Sequence, residues 1–181
     1  ALPYDKLDWL NGQYIRQITP AALKAQLTPI LSKQLKISEA KLSADNRLDI
    51  LVPQIQERLK RLDEAVEWID WAFKSADEIV YDDPSLLLGR KLDAAQSIAV
   101  LEDGAAVLRT IEPFLPDNTQ AAFRERATAL GVSAGGYFGP FRAAISGKKV
   151  SPPLFESMQA LGRDEVLRRV QRGVEELGKM G

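Results

Sequence analysis

Apolar residues recur at three- and four-residue spacing along almost the whole chain. Leu7, Leu10, Tyr14 and Ile15 open the pattern, which is the period of a helix with one apolar face. Thr19-Pro20 reads as N-cap and first helical residue of AALKAQLTPILSKQL. Pro29 inside that run predicts a kink or break. Ser38 and Ser43 are cap candidates in the following segment. A long helix is predicted through QIQERLKRLDEAVEWIDWAF, with Ile55, Leu59, Leu62, Val66, Ile69 and Phe73 along one stripe. Asp83-Pro84 opens a short helix, and AAQSIAVLEDGAAVLRTIEPF forms a long one. Asp117 with Gln120 reads as a capping box for TQAAFRERATAL, which Gly131 closes. A last helix is expected from about residue 164 to 178. GGYFG, residues 135–139, is the one Gly-rich stretch and reads as a loop with an aromatic plug. It has neither the spacing nor the preceding strand of a phosphate-binding loop. No segment alternates with period two, so the predicted class is all-α, with about eight to ten helices.

Composition narrows the chemistry. The 181 residues are 45% hydrophobic and carry a formal net charge of −1, enough for one large domain or two small ones. There is no cysteine and no histidine. That excludes the usual Cys/His zinc site, a Ser-His-Asp triad, a thiol nucleophile and an imidazole acid or base. It also excludes a disulfide framework, which fits a cytosolic protein. No apolar run reaches membrane-spanning length and no signal-peptide pattern is present. The start at Ala1 rather than Met fits a processed protein or an excised domain.

The small net charge conceals polarity. Residues 63–83 hold eight acidic side chains against Lys74 alone, whereas residues 139–181 hold eight basic against five acidic. A polyanion would avoid the first segment and could approach the second. Two solvated faces of opposite sign are the plainer reading. Within GPFRAAISGKKVSPPLFE, Ser151 reads as an N-cap and Pro152 as the first helical residue. Such a start exposes backbone N–H groups of partial positive charge. Lys148 and Lys149 stand just upstream, and Arg142 one or two turns earlier. Together they would suit an anionic, hydrogen-bonding ligand such as an RNA loop. An ordinary helix–helix corner with solvated lysines is the alternative. Trp9, Tyr14, Trp68 and Trp71 read as packing residues.

Both ends of the chain resemble one family. DKLDWLNGQYIRQ resembles the segment that follows the catalytic core of bacterial glutamyl-tRNA synthetases. FRAAISGKKVSPPLFESMQALGRDEVLRRV resembles the end of those enzymes. The motifs are Trp9 to Gly12 with Tyr14 to Arg16, then Gly147, Pro152 to Phe155 and Leu161-Gly162. The class I activation motifs are absent: without histidine the first cannot be present, and the terminal GKMG is not the second. The resemblance therefore implies the C-terminal anticodon-binding region alone, a two-part helical cage. Residues 1–72 would hold a stem-contact segment and the first helical part, and residues 73–181 the second. ATP, Mg²⁺ and glutamate would belong to the absent catalytic part, leaving this chain without cofactor and unable to aminoacylate by itself. The implied partners are tRNA(Glu), through its anticodon loop, and the enzyme's own catalytic domain. The implied setting is cytoplasmic, and the chain a monomer.

The resemblance also assigns residues. It places Arg142, Ser151, Pro152 and Leu154 against anticodon nucleotides, with Asn11 and Arg16 reaching phosphate. It gives Arg58 the third anticodon base, with Arg61 one turn on as the alternative. Glutamate tRNAs end their anticodon in C and glutamine tRNAs in G. Unpaired C offers two acceptors, which suit a guanidinium that only donates; G would oppose donor to donor. Read as residue types alone, Arg58 is a surface arginine in a weak helical ion pair with Glu57 or Asp63. A rival function is a helical protein–protein interaction module that docks through the acidic 63–83 face. An independent enzyme is the weakest reading, because no set of carboxylates and lysines has a spacing argument.

Overall fold

The structure is a computed structural model that describes residues 3–181. Among these it contains ten α-helices, five short 3-10 turns and no strand. The chain divides into two compact units, the first ending at Phe73 and the second running Lys74–Gly181.

The first unit begins with α1, Tyr4–Gln17, and α2, Pro20–Leu35. Thr19 caps α2 by accepting from the Ala22 N–H, and Pro20 needs no partner for its missing N–H. Pro29 does not end this helix. The hydrogen bond it removes would have gone to Ala25 O, and both residues are exposed, so the loss falls on the solvent side of the helix. Leu23, Leu27 and Leu31 line the buried face at 0% exposure. Ser38 caps α3, Glu39–Ser43. Ser43 ends that helix rather than capping the next. Asp45 caps α4, Asn46–Ile55, by accepting from Arg47 N–H at 2.9 Å.

The long helix expected after α4 does not form. It is divided into a 3-10 turn Gln56–Arg58, a second at Leu62–Glu64, α5 at Ala65–Ile69, and a third turn at Asp70–Phe73. Leu59 is extended (ψ 131°) and fully buried. Its burial gains about 1.5–3 kcal/mol, and here it is reached by leaving the helix. The Gln56 amide fixes the break by donating to Ile15 O at 2.8 Å and Ile18 O at 2.7 Å. These are carbonyls of the last turn and cap of α1, which have no partner within the helix. Glu64 then accepts from Lys60 and Arg61 N–H and restarts the coil. Trp71 is buried and donates to Trp68 O.

The second unit contains 3-10 turns at Ala76–Glu78 and Pro84–Leu87, then α6, Ala94–Thr110, and α7, Pro116–Ala129. α8 is Ala134–Ser146, α9 is Leu154–Leu161 and α10 is Arg163–Gly178. α7 starts at Pro116, so Asp117 lies inside it and the expected capping box is absent. Its end follows expectation, with Val132 N–H bonding Ala127 O and Gly131 N–H bonding Thr128 O.

GGYFG is helix, not loop. Three glycines cost about 1 kcal/mol each in a helix, but Tyr137, Phe138 and Phe141 are buried by it. They surround Phe123, whose ring lies 5.2 Å from Tyr137 and 4.7 Å from Phe141. The aromatic gain exceeds the glycine cost. Backbone also approaches closely here: a Cβ at Gly136 would meet Arg90 O at 3.2 Å.

Candidate nucleic-acid interface

Most of the basic charge in the C-terminal segment is structural. Arg169 has a fully buried side chain. It donates to Ile145 O at 2.7 Å, Lys74 O at 2.7 Å and Glu165 Oε1 at 2.9 Å. Arg163 closes the end of α6 through Leu108 O and Ile111 O, and its guanidinium lies 5.2 Å from the Phe114 ring centre. Arg172 donates to Ala76 O, Arg168 pairs with Glu165 within α10, and Lys179, just past the end of α10, pairs with Glu176. Of the eight basic residues, only Arg142, Lys148 and Lys149 cluster at the bend after α8. Arg142 and Lys149 are exposed and make no ion pair among the described residues.

That bend is tightly specified. Gly147 adopts φ +70°, and a Cβ there would fall 2.6 Å from Val80 O, so glycine is required on both counts. Ser146 Oγ donates to Arg142 O at 2.8 Å and accepts from Lys148 N–H at 3.1 Å. One hydroxyl thus ties together the backbones that carry two of the candidate cations. Arg169 and Tyr81 supply donors to the last carbonyls of α8, the latter through its hydroxyl to Ala144 O at 2.9 Å. Burial pushes the Tyr81 phenol up to about 12, so at neutral pH it remains a donor. Burial also acts to raise Glu165, but hydrogen bonds and charge from Arg169 and Arg168 outweigh it and hold the carboxyl below its ordinary value.

Ser151 does not cap a helix. α9 starts at Leu154 behind Pro153, and no side chain caps it. The two prolines hold residues 152–153 outside the helix, and the first turn is bonded through Pro153 O to Ser157. Ser151 is half-buried, and Pro152 and Leu154 are buried. The latter two shape the bend and offer no exposed side chain.

In the first unit, α1 and the break at residues 56–59 come together. The Cβ position of Gly12 is 3.3 Å from the Arg16 guanidinium and 3.5 Å from Leu59 O. Asn11 and Arg16 are exposed, and Arg16 makes no ion pair among the described residues. Asn11 lines a groove of about 470 Å³ with Tyr14, Leu62 and Arg61. Arg58 and Arg61 differ sharply. Arg61 faces Asp8 at 3.5 Å, Asp63 at 3.2 Å and Glu64 at 3.9 Å. Arg58 is exposed, makes no carboxylate pair among the described residues, and lies 5.3 Å from the Trp68 ring centre. Trp9 and Tyr14, expected to pack, are 58% and 54% exposed. With Leu7 and Leu10 they leave the apolar side of α1 open. The acidic 63–83 segment is divided between the two units, and Glu64, Glu78 and Asp83 are engaged as caps.

The anticodon-binding domain family matches residues 14–174. The chain belongs to that family. Its sequence is 38% identical over 169 residues to the glutamate–tRNA ligase of Roseiflexus sp. (strain RS-1), covering 92% of this chain and 33% of the relative. It is 36% identical over 178 residues to that of Dehalococcoides mccartyi (strain CBDB1), covering 98% and 36%. The crystal structure of a glutamate tRNA ligase from Elizabethkingia meningosepticum superposes with a TM-score of 0.79 at 17% identity, over 96% of this chain and 32% of that one. At that identity the likeness establishes the fold. This anticodon-binding domain therefore spans about a third of the length of its relatives. Among its described residues no group of three or more carboxylates is placed to hold a metal ion. No described helix is long and apolar enough to cross a membrane.

Proposed function

We propose that this domain binds the anticodon arm of tRNA(Glu) as the C-terminal part of a cytoplasmic glutamate–tRNA ligase. ATP, Mg²⁺, glutamate and the chemistry then belong to the remaining two thirds of the enzyme, and this chain alone does not aminoacylate. The observation that carries the reading is the bend after α8. Its backbone is fixed by Gly147, Ser146 and Arg169, while Arg142 and Lys149 stand exposed beside it without a carboxylate partner among the described residues. Cations placed by a rigid backbone and not neutralised suit an RNA phosphate and base edge. Arg58 suits the third anticodon base for the same reason, and Arg61, facing three carboxylates, does not. The open side of α1 is assigned to the contact with the rest of the ligase.

The test is binding to two anticodon stem-loops, one ending its anticodon in C and one in G, at low and moderate salt. Preference for C that disappears in Arg58→Gln is expected. Arg142→Ala should weaken both loops and lower the steepness of the salt dependence by about 0.7 in the log–log slope. Failure to bind either loop or whole tRNA(Glu), even at low salt, would leave the acidic-face docking module as the better reading.

A further inference from the structure

We propose that Trp68 is a specificity-positioning residue that acts through Arg58. The inference rests on Arg58 being the base reader proposed above. An arginine on a protein surface samples many rotamers, and fixing them on binding costs side-chain entropy. A reader that must match two acceptors on one base edge gains from being placed beforehand. A salt bridge would place it but would occupy its N–H donors, and Arg61 shows that arrangement with its three facing carboxylates. An aromatic face places a guanidinium differently. It attracts the cation through the ring quadrupole and uses no N–H donor. Arg58 lies 5.3 Å from the Trp68 ring centre, within the range of that attraction. All five donors therefore stay available for a ligand.

Both partners are anchored. Arg58 ends the 3-10 turn whose first residue, Gln56, is buried and bonded to two carbonyls of α1. Trp68 sits in α5 between buried Ala65 and Ile69, and its carbonyl accepts from the Trp71 indole at 2.8 Å. The pair is thus held from below, with the arginine end exposed.

The experiment measures the C-over-G preference of the whole chain for the two stem-loops in Trp68→Leu, Trp68→Tyr and each of these combined with Arg58→Gln. Trp68→Leu should lower the preference about threefold to fivefold, the binding equivalent of an exposed cation–π contact. Trp68→Tyr should retain most of it, and Trp68→Leu should have no further effect on the preference once Arg58 is glutamine. In the free protein, Trp68→Leu should also move the NMR signal of the Arg58 Nε–H, which lies in the field of the ring. An equal loss of affinity for both loops, or an unchanged preference in Trp68→Leu, would overturn the positioning role while leaving the tRNA reading intact. A wild-type chain that binds RNA with no preference would overturn Arg58 and Trp68 together. If Trp68→Leu does not fold, Trp68→Tyr decides alone: a preference reduced to that of Arg58→Gln overturns the inference, because a tyrosine face should hold the guanidinium.

Discussion

Replacing Arg169 with methionine should remove the support of the bend from below. The side chain is fully buried, so the change keeps bulk and deletes its hydrogen bonds to Ile145 O, Lys74 O and Glu165 Oε1. Ile145 O and Lys74 O lose their donor in a place water reaches poorly, at about 1–3 kcal/mol for each unsatisfied group. Glu165 keeps Arg168 and some solvent, with 19% of its side chain exposed, so its penalty is at the low end. The total, about 3–5 kcal/mol, agrees with the usual cost of breaking a buried pair by removing one partner. Arg169→Lys keeps the charge but not the planar fork, and should lie between methionine and wild type. Hydrogen–deuterium exchange of the whole chain, read peptide by peptide, reports this locally. Protection of the last turn of α8 and the middle of α10 should fall about a hundredfold to several thousandfold, at about 1.4 kcal/mol per factor of ten. Affinity for both stem-loops should fall together, because the bend and not one contact is lost. A methionine variant within about 1 kcal/mol of wild type would show that packing alone holds the end of α8.

Gly147→Ala should destabilise by about 1–3 kcal/mol, since it combines the left-handed backbone penalty with a clash against Val80 O. Urea unfolding measures it, and an unchanged midpoint would contradict the geometry. Asp103 supplies the pH prediction. Its carboxyl is held below the ordinary 3.8 by hydrogen bonds from Arg126 and then Tyr137, against the opposing effect of burial. A lowered folded value stabilises above the unfolded one and is lost as pH falls through the folded value. Wild type should therefore exceed Asp103→Asn in urea midpoint at neutral pH, and the difference should shrink below about pH 4. A difference that stays constant into acid would remove Asp103 from the account.

The fold class was legible because helical period is a local signal, and Thr19-Pro20 and Asp83-Pro84 are local caps. Two of the misread stretches depend on distant partners. GGYFG contains three poor helix formers; Ser133 caps the helix by accepting from Gly136 N–H, and the Phe123 and Phe155 rings that receive its aromatics stabilise it. The stripe from Ile55 to Phe73 has helical spacing, but it breaks where Gln56 turns toward α1 and Leu59 dives inward. Arg142, Lys148 and Lys149 are singled out by charge and position along the chain. That Arg169, in the same basic segment, is spent beneath the bend could not be read there, because its partners Ile145 and Lys74 lie 24 and 95 residues away. Trp68 reads as a packing residue in the sequence; that its ring lies 5.3 Å from the Arg58 guanidinium depends on the broken path between them, which spacing does not reveal.

The placement of the aromatics has a practical consequence. Trp9, Trp68 and Trp71 all precede Phe73, whereas Tyr81 and Tyr137 are the fluorophores of the unit that follows. Light absorbed only by indole therefore illuminates the first unit and leaves the second dark. The molecule carries a built-in optical label confined to one half, so comparing its emission with total helix dichroism during unfolding would tell whether the halves melt together or in turn.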